Sequence, residues 1–118
     1  MLNFQIKAKP LTVNKVWQGR RFKTKAYKDY EKEMFYLLKD IRNNQSIKDI
    51  KGHVEITLEF FLKYASTSDV DNFVKPLLDI LVKDGIIEDD KNIMHLDLYK
   101  YKSDTDYMNI TINKWTDD

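Results

Sequence analysis

Residues 53–63, HVEITLEFFLK, alternate without a break. Val54, Ile56, Leu58, Phe60 and Leu62 fall on one side. Glu55, Thr57, Glu59, Phe61 and Lys63 fall on the other. Successive side chains of a strand point to opposite faces, so this segment reads as a strand with one apolar face to bury. A lone strand cannot bury that face. The chain must supply neighbouring strands and a covering layer.

Three other segments alternate in the same way: residues 2–8, 93–102 and 106–115. The covering layer has two candidates. From Lys25 onward, Tyr27, Tyr30, Met34, Leu37, Leu38 and Ile41 recur every three or four residues. That spacing predicts an amphipathic helix to about Asn43, with Thr24 as N-cap. The apolar run from Phe73 to Leu81 has helical spacing and predicts a second helix over 72–83, stopped by Asp84-Gly85. Pro76 falls inside it. Proline fits only the first turn of a helix, so the helix starts near Phe73 or its first turn is distorted. Residues 10–24 lack a clean period and read as a loop.

The order is β-α-β-α-β-β, an α+β or α/β chain with one mixed sheet and the helices packed on it. A length of 118 residues suits a single domain, 1–118. Ser103-Asp104-Thr105 separates the last two strands and reads as a hairpin turn. There is no cysteine, which excludes a disulfide framework, zinc-finger spacing and a thiol nucleophile. No signal-peptide layout and no span-length apolar run is found, which points to a soluble, cytoplasmic protein that does not engage a membrane.

Charge is unevenly placed. Residues 1–52 carry ten Lys, three Arg and five acids, a balance of +8, and residues 53–118 carry seven Lys and fourteen acids, a balance of −7. A basic half attracts polyanions, and an acidic half repels them or binds cations. Metal-dependent chemistry on a phosphate backbone uses both.

The acidic half concentrates its carboxylates in SDVDNFVKPLLDILVKDGIIEDD, residues 68–90. Asp69 and Asp71 precede the second helix, and Glu88, Asp89 and Asp90 follow it. Helix capping accounts for one aspartate at the N-terminus and only weakly for a second. A helix of about eleven residues spans roughly 16 Å. The five residues after Gly85 can retrace much of that length at about 3.3 Å each. Asp89 or Asp90 can therefore come near Asp71. Three carboxylates at about 4 Å would repel one another by on the order of 4 kcal/mol per pair, which a cation offsets. Carboxylates with open water positions suit Mg²⁺ or Mn²⁺. Lys75 lies one helical turn after Asp71, on the same face as Asp71 and Asp79, either as a member of an i,i+4 pair or as a cation beside the metal. No EF-hand register fits, because Val74 or Pro76 stands where that loop needs glycine. His53 and His95 are isolated on strands and read as surface residues.

The run from Asp69 to Asp79, DVDNFVKPLLD, followed by DGIIEDD, resembles the RusA family of Holliday junction resolvases. Its hallmark is Asp-x-Asp-Asn, a lysine shortly after, a helix ending in a Gly turn, and an Asp-Asp pair. Upstream, Pro10, Asn14 and the basic stretch Trp17 to Lys25 resemble the family's N-terminal loop. Where the family's best-known form has a basic stretch before the motif, this chain has Ala65-Ser66-Thr67-Ser68. The resemblance implies a homodimeric, Mg²⁺-dependent endodeoxyribonuclease of bacterial or phage origin that makes paired symmetric cuts in four-way junctions. By position it puts the catalytic acids on Asp69, Asp71 and Asp90, which would also hold the metal, and the essential lysine on Lys75. Asn14, Lys15, Arg20, Arg21, Lys23 and Lys25 are the expected DNA contacts, and Trp17 reads as packing on the domain or stacking at the branch point. Three rivals share the same residues: a non-catalytic nucleic-acid-binding protein, a flap or branched-DNA nuclease, and a small interaction domain whose acids only cap a helix.

Overall fold

The computed structural model describes residues 1–18, 22–45, 50–66 and 68–116. Strand β1 is Leu2–Ile6, and the pair β2 (Trp17–Gln18) and β3 (Phe22–Lys23) precedes helix α1 (Lys25–Gln45). Then come β4 (Val54–Leu62), α2 (Val74–Lys83), β5 (Ile93–Lys102) and β6 (Tyr107–Lys114). Short 3₁₀ turns lie at Val13–Lys15, Val70–Phe73 and Asp90–Asn92. The main sheet is mixed, in the order β1-β6-β4-β5.

β4 is its hub. Its inward residues Val54, Ile56, Leu58, Phe60 and Leu62 are buried, and the residues between them are half-buried. They join one core with Tyr30, Met34 and Leu38 of α1 and Leu77, Ile80 and Leu81 of α2. Both helices therefore cover the same face of the sheet. The opposite face carries polar cross-strand pairs such as Asn109 Nδ2 donating to Glu59 Oε1 at 2.8 Å.

The expected hairpin between the last two strands is not there. β5 pairs with β4 in parallel, β6 pairs with β4 antiparallel, and β4 lies between them. Helix α2 is the crossover that a parallel β4–β5 pair requires. The short link from Ser103 to Asp106 then steps over the end of β4. It needs to cover only two strand spacings, about 10 Å, which four residues span. The step is fastened to β4's exit: Ser103 N donates to Leu62 O at 2.9 Å, and Lys63 N donates to Asp106 Oδ1 at 2.8 Å. Strand alternation is the same in a hairpin and in this arrangement, so the pattern alone could not separate them.

Thr24 caps α1 as expected, accepting from Tyr27 N at 3.1 Å, and its hydroxyl donates to Lys15 O. That second bond ties the N-terminal segment to the helix. The described residues 10–18 and 22–24 hold more than a plain loop: a 3₁₀ turn leads into the β2–β3 pair, in which the backbone of Trp17 pairs with Lys23 and that of Gln18 with Phe22, while residues 19–21 lie outside the described residues.

Pro76 is the third residue of α2, buried, behind the 3₁₀ turn Val70–Phe73. The amides of a first turn have no intrahelical partner, so the proline costs no hydrogen bond there. α2 ends in a Schellman motif. Ile86 N donates to Leu81 O at 2.9 Å, and Gly85 N donates to Val82 O at 3.1 Å. Gly85 has φ 77°, a left-handed conformation that glycine adopts without a Cβ penalty.

Asp84, at the C-cap, carries a negative charge where the helix dipole is negative. One of its carboxylate oxygens is buried without a hydrogen-bond partner among the described residues, and burial raises its pKa above the ordinary 3.8. A raised folded-state pKa means that stability is lost as pH rises through that value. Asp84→Asn is therefore expected to stabilise the protein at pH 7 by about 0.3–1 kcal/mol. The gain should vanish once Asp84 is protonated in both states, below the ordinary 3.8. Melting temperatures of both proteins from pH 3 to pH 8 check this.

Candidate active site

The Asp69 segment leaves β4 at its C-terminal end and enters α2 through the turn Val70–Phe73. Asn72 N donates to Asp69 O at 3.1 Å, which closes the turn. Phe73 is buried, its ring 5.3 Å from that of Phe60 on β4. The turn is thus pinned to the sheet by one aromatic anchor. Asp69 stands at the N-cap position but its side chain makes no cap bond. Asp69 and Asp71 are exposed, and neither side chain has a hydrogen bond or ion pair among the described residues. Capping, the structural explanation for these acids, is not realised.

The second acidic group is different. Asp89 caps the turn Asp90–Asn92, accepting from Lys91 N at 3.0 Å. Asn92 Nδ2 donates to Glu88 Oε1 at 3.3 Å. Those two acids have structural work. Asp90 does not share it. Its Oδ2 accepts from Lys75 Nζ at 3.0 Å, which joins the beginning of α2 to the segment after it. Lys75 also reaches Asp79 Oδ1 at 2.8 Å, the i,i+4 pair expected on one helix face. The Lys75 hydrogen bond lowers the Asp90 pKa, and the bonds to Asp79 and Asp90 raise that of Lys75. Lys75 is thus held between two carboxylates.

Asp90 thus returns to the start of α2, as the chain-length arithmetic allows, and meets Lys75 there. Among the described residues no three or more His, Cys, Asp or Glu side chains are gathered so as to hold a metal ion. The close three-carboxylate cluster that the chain length allows is not formed among the described residues. The donor set still suits a hard divalent cation in kind: three carboxylates, two of them exposed and uncommitted.

One contributor escaped the sequence reading. Lys100 Nζ donates to Ser68 O at 2.8 Å and so holds the backbone next to Asp69. Its signal was in the alternation of β5. Leu96, Leu98 and Lys100 share one side, which puts a lysine where an apolar residue belongs.

Of the expected DNA contacts, Asn14, Lys15 and Lys25 are exposed. Lys23 Nζ sits 4.2 Å above the Tyr27 ring. Arg20 and Arg21 lie outside the described residues. Of Trp17 only the backbone, in β2, is described.

A family model described as endodeoxyribonuclease RusA matches residues 4–113. The chain belongs to the RusA family. A search of curated proteins returns no match. The RusA match runs from β1 to the end of β6 and takes in both acidic groups and Lys75. It makes this chain a member of a family of endodeoxyribonucleases. No helix among the described residues is long and apolar enough to cross a membrane.

Proposed function

We propose that residues 1–118 form one nuclease domain that resolves four-way DNA junctions by paired, symmetric, Mg²⁺-dependent phosphodiester hydrolysis. The observation that carries this reading is the pair Asp69 and Asp71, exposed, without a capping role, inside a chain matched by the RusA family. Asp69, Asp71 and Asp90 would hold the metal. Bound there, Mg²⁺ or Mn²⁺ supplies charge stabilisation at the scissile phosphate and a water of lowered pKa. Lys75 is a positioned cation. In the free protein it is shared between Asp79 and Asp90. A phosphate arriving beside it offers a further anion, and the ammonium can offset charge that develops during hydrolysis. Lys15, Lys23, Lys25, Asn14, Arg20 and Arg21 supply sequence-independent backbone contacts from the basic half.

Paired cuts need two centres, and one chain has one, so the active species is a homodimer. Supporting this, β5 lies at the edge of the sheet and carries exposed Met94, Tyr99 and Tyr101. Unpaired edges with apolar side chains favour association. A bacterial or phage cytoplasm fits a DNA-processing enzyme without cysteine.

The test is incubation with a synthetic four-way junction and a linear duplex of equal length, with and without Mg²⁺. Symmetric nicks confined to the junction and to Mg²⁺ support the reading. Junction binding without cleavage in Mg²⁺ or Mn²⁺ leaves a non-catalytic binding protein. Equal cutting of flaps and three-way branches leaves a less selective nuclease.

Lys100 is a positioning residue in this scheme. Lys100→Met keeps the side chain's length and loses the bond to Ser68 O. Cleavage is expected to fall about 10- to 100-fold with junction affinity in EDTA unchanged. Lys100→Arg should recover part of the loss. A rate equal to wild type in Lys100→Met would show that the segment needs no such anchor.

A further inference from the structure

A cleft of about 690 Å³ opens beside the Asp69 segment, and Ser68 is part of its wall. This volume falls in the range of about 300–1,000 Å³ typical of small-ligand sites. Two of its sides are built from different parts of the chain. One is the segment before β2, which contributes Lys9 and Lys15. The other is a single face of α1, where Ala26, Asp29, Tyr30 and Glu33 follow the i, i+3, i+4, i+7 spacing. Leu11, Leu62 and Phe73 make apolar surface.

Tyr30 is the residue the fold does not explain. It is 6% exposed, and its hydroxyl is buried with no hydrogen-bond partner among the described residues. Buried polar groups are paired in the great majority of cases, and this unpaired one belongs to a residue that lines the cleft. Burial raises the pKa of this phenol, so it remains a donor at neutral pH.

The lining decides what partner would suit it. Asp29 and Glu33 flank Tyr30 on its helix and would repel a phosphate or any other anion. They accept hydrogen bonds from N–H groups, and Tyr30 can donate to a carbonyl or ring nitrogen. The apolar surface suits the faces of a flat ring. Lys9 and Lys15, from the segment before β2, suit a phosphate attached to that ring. A neutral heterocycle with N–H and C=O groups on its edge, carried on a phosphate backbone, is a nucleobase.

We propose that this cleft takes one unpaired nucleobase, turned out of the DNA next to the phosphate that is cut. The proposal rests on the junction-nuclease reading and adds a site to it. A base held in a duplex has its edge paired and its faces stacked. Extrusion is least costly where pairing is already broken, as at a branch point. The cleft would then favour branched over linear DNA through a base.

The experiment uses full-length protein in EDTA, so that no cutting occurs, and four-way junctions with 2-aminopurine placed singly at each position around the branch point. Emission at one of these positions is expected to rise several-fold on binding, beyond that of a probe in a duplex arm, because the base leaves its stack. Tyr30→Phe should reduce that rise and weaken junction binding about 3- to 10-fold, the effect of one hydrogen bond, with linear-duplex binding unchanged. Glu33→Gln, on an exposed position, should act in the same direction. An abasic nucleotide at the responsive position should weaken binding to wild type and not further to Tyr30→Phe.

If Tyr30 has a structural role alone, removing its unpartnered hydroxyl leaves or raises the melting temperature and does not change the emission. That outcome overturns the proposal. So does a flat signal at every position while the junction binds and is cut in Mg²⁺, which leaves the nuclease reading intact. A protein that does not bind junctions at all overturns both.

Discussion

Asp71→Asn is expected to lower the rate of Mg²⁺-dependent junction cleavage on the order of 10²- to 10³-fold, while junction binding in EDTA persists. Asparagine keeps the size of the side chain and one carbonyl oxygen. It loses the charge that a hard cation needs from its ligands. Asp71 is exposed on a turn whose shape is set by Phe73 and by the Asn72–Asp69 hydrogen bond, so the backbone has no reason to move. Because its side chain has no partner among the described residues, stability in EDTA should stay within about 0.5 kcal/mol of wild type. Crowded carboxylates would give a different result, since losing one charge of three would raise the melting temperature in EDTA. The two measurements are independent. Full cleavage by Asp71→Asn would remove this residue from the centre. A higher melting temperature would mean that the acids are closer in solution than in the structure.

The sequence was most readable where one physical constraint acted alone. Strict alternation named β4 and its buried face, because no other structure buries every second residue over nine positions. Thr24 and Gly85 marked helix ends because caps and left-handed turns have narrow residue preferences. The neighbours of each strand were not readable in the same way. Nothing local in β5 or β6 records that β4 separates them, because alternation describes a strand's faces and not its edges. The same holds at the candidate site. Spacing correctly brought Asp90 back toward the start of α2 and put Lys75 beside Asp79. It could not tell that Asp90 would pair with Lys75 instead of joining Asp69 and Asp71, since both arrangements satisfy the same chain length. Asp89 and Glu88 belong to the turn around Asp90–Asn92, a local role that the count of acids obscured. Lys100 lay in a strand pattern read for its apolar residues, and its one exception was the informative position.

Phe73→Ala is expected to cost about 3–5 kcal/mol of stability, the usual range for truncating a buried aromatic residue. Phe73 is 5% exposed and packs at 5.3 Å against Phe60, which is fully buried in the central strand. Loss of the ring leaves a cavity between sheet and helix, where close packing limits relaxation. A typical domain holds only about 5–15 kcal/mol in total, so the melting temperature should fall on the order of 10–20 °C. Phe73→Leu retains much of the volume and should cost clearly less. The pair of variants separates stability from positioning. Phe73 lies two residues after Asp71 and two before Lys75, and its ring is the one aromatic contact that pins this turn to the sheet among the described residues. At 15 °C, where a destabilised variant is still largely folded, the alanine variant should cleave junctions more slowly than its folded fraction explains. The leucine variant should stay near wild type. If the rate of Phe73→Ala simply follows the folded fraction, the carboxylates keep their places without the ring, and the anchoring role assigned to Phe73 is wrong.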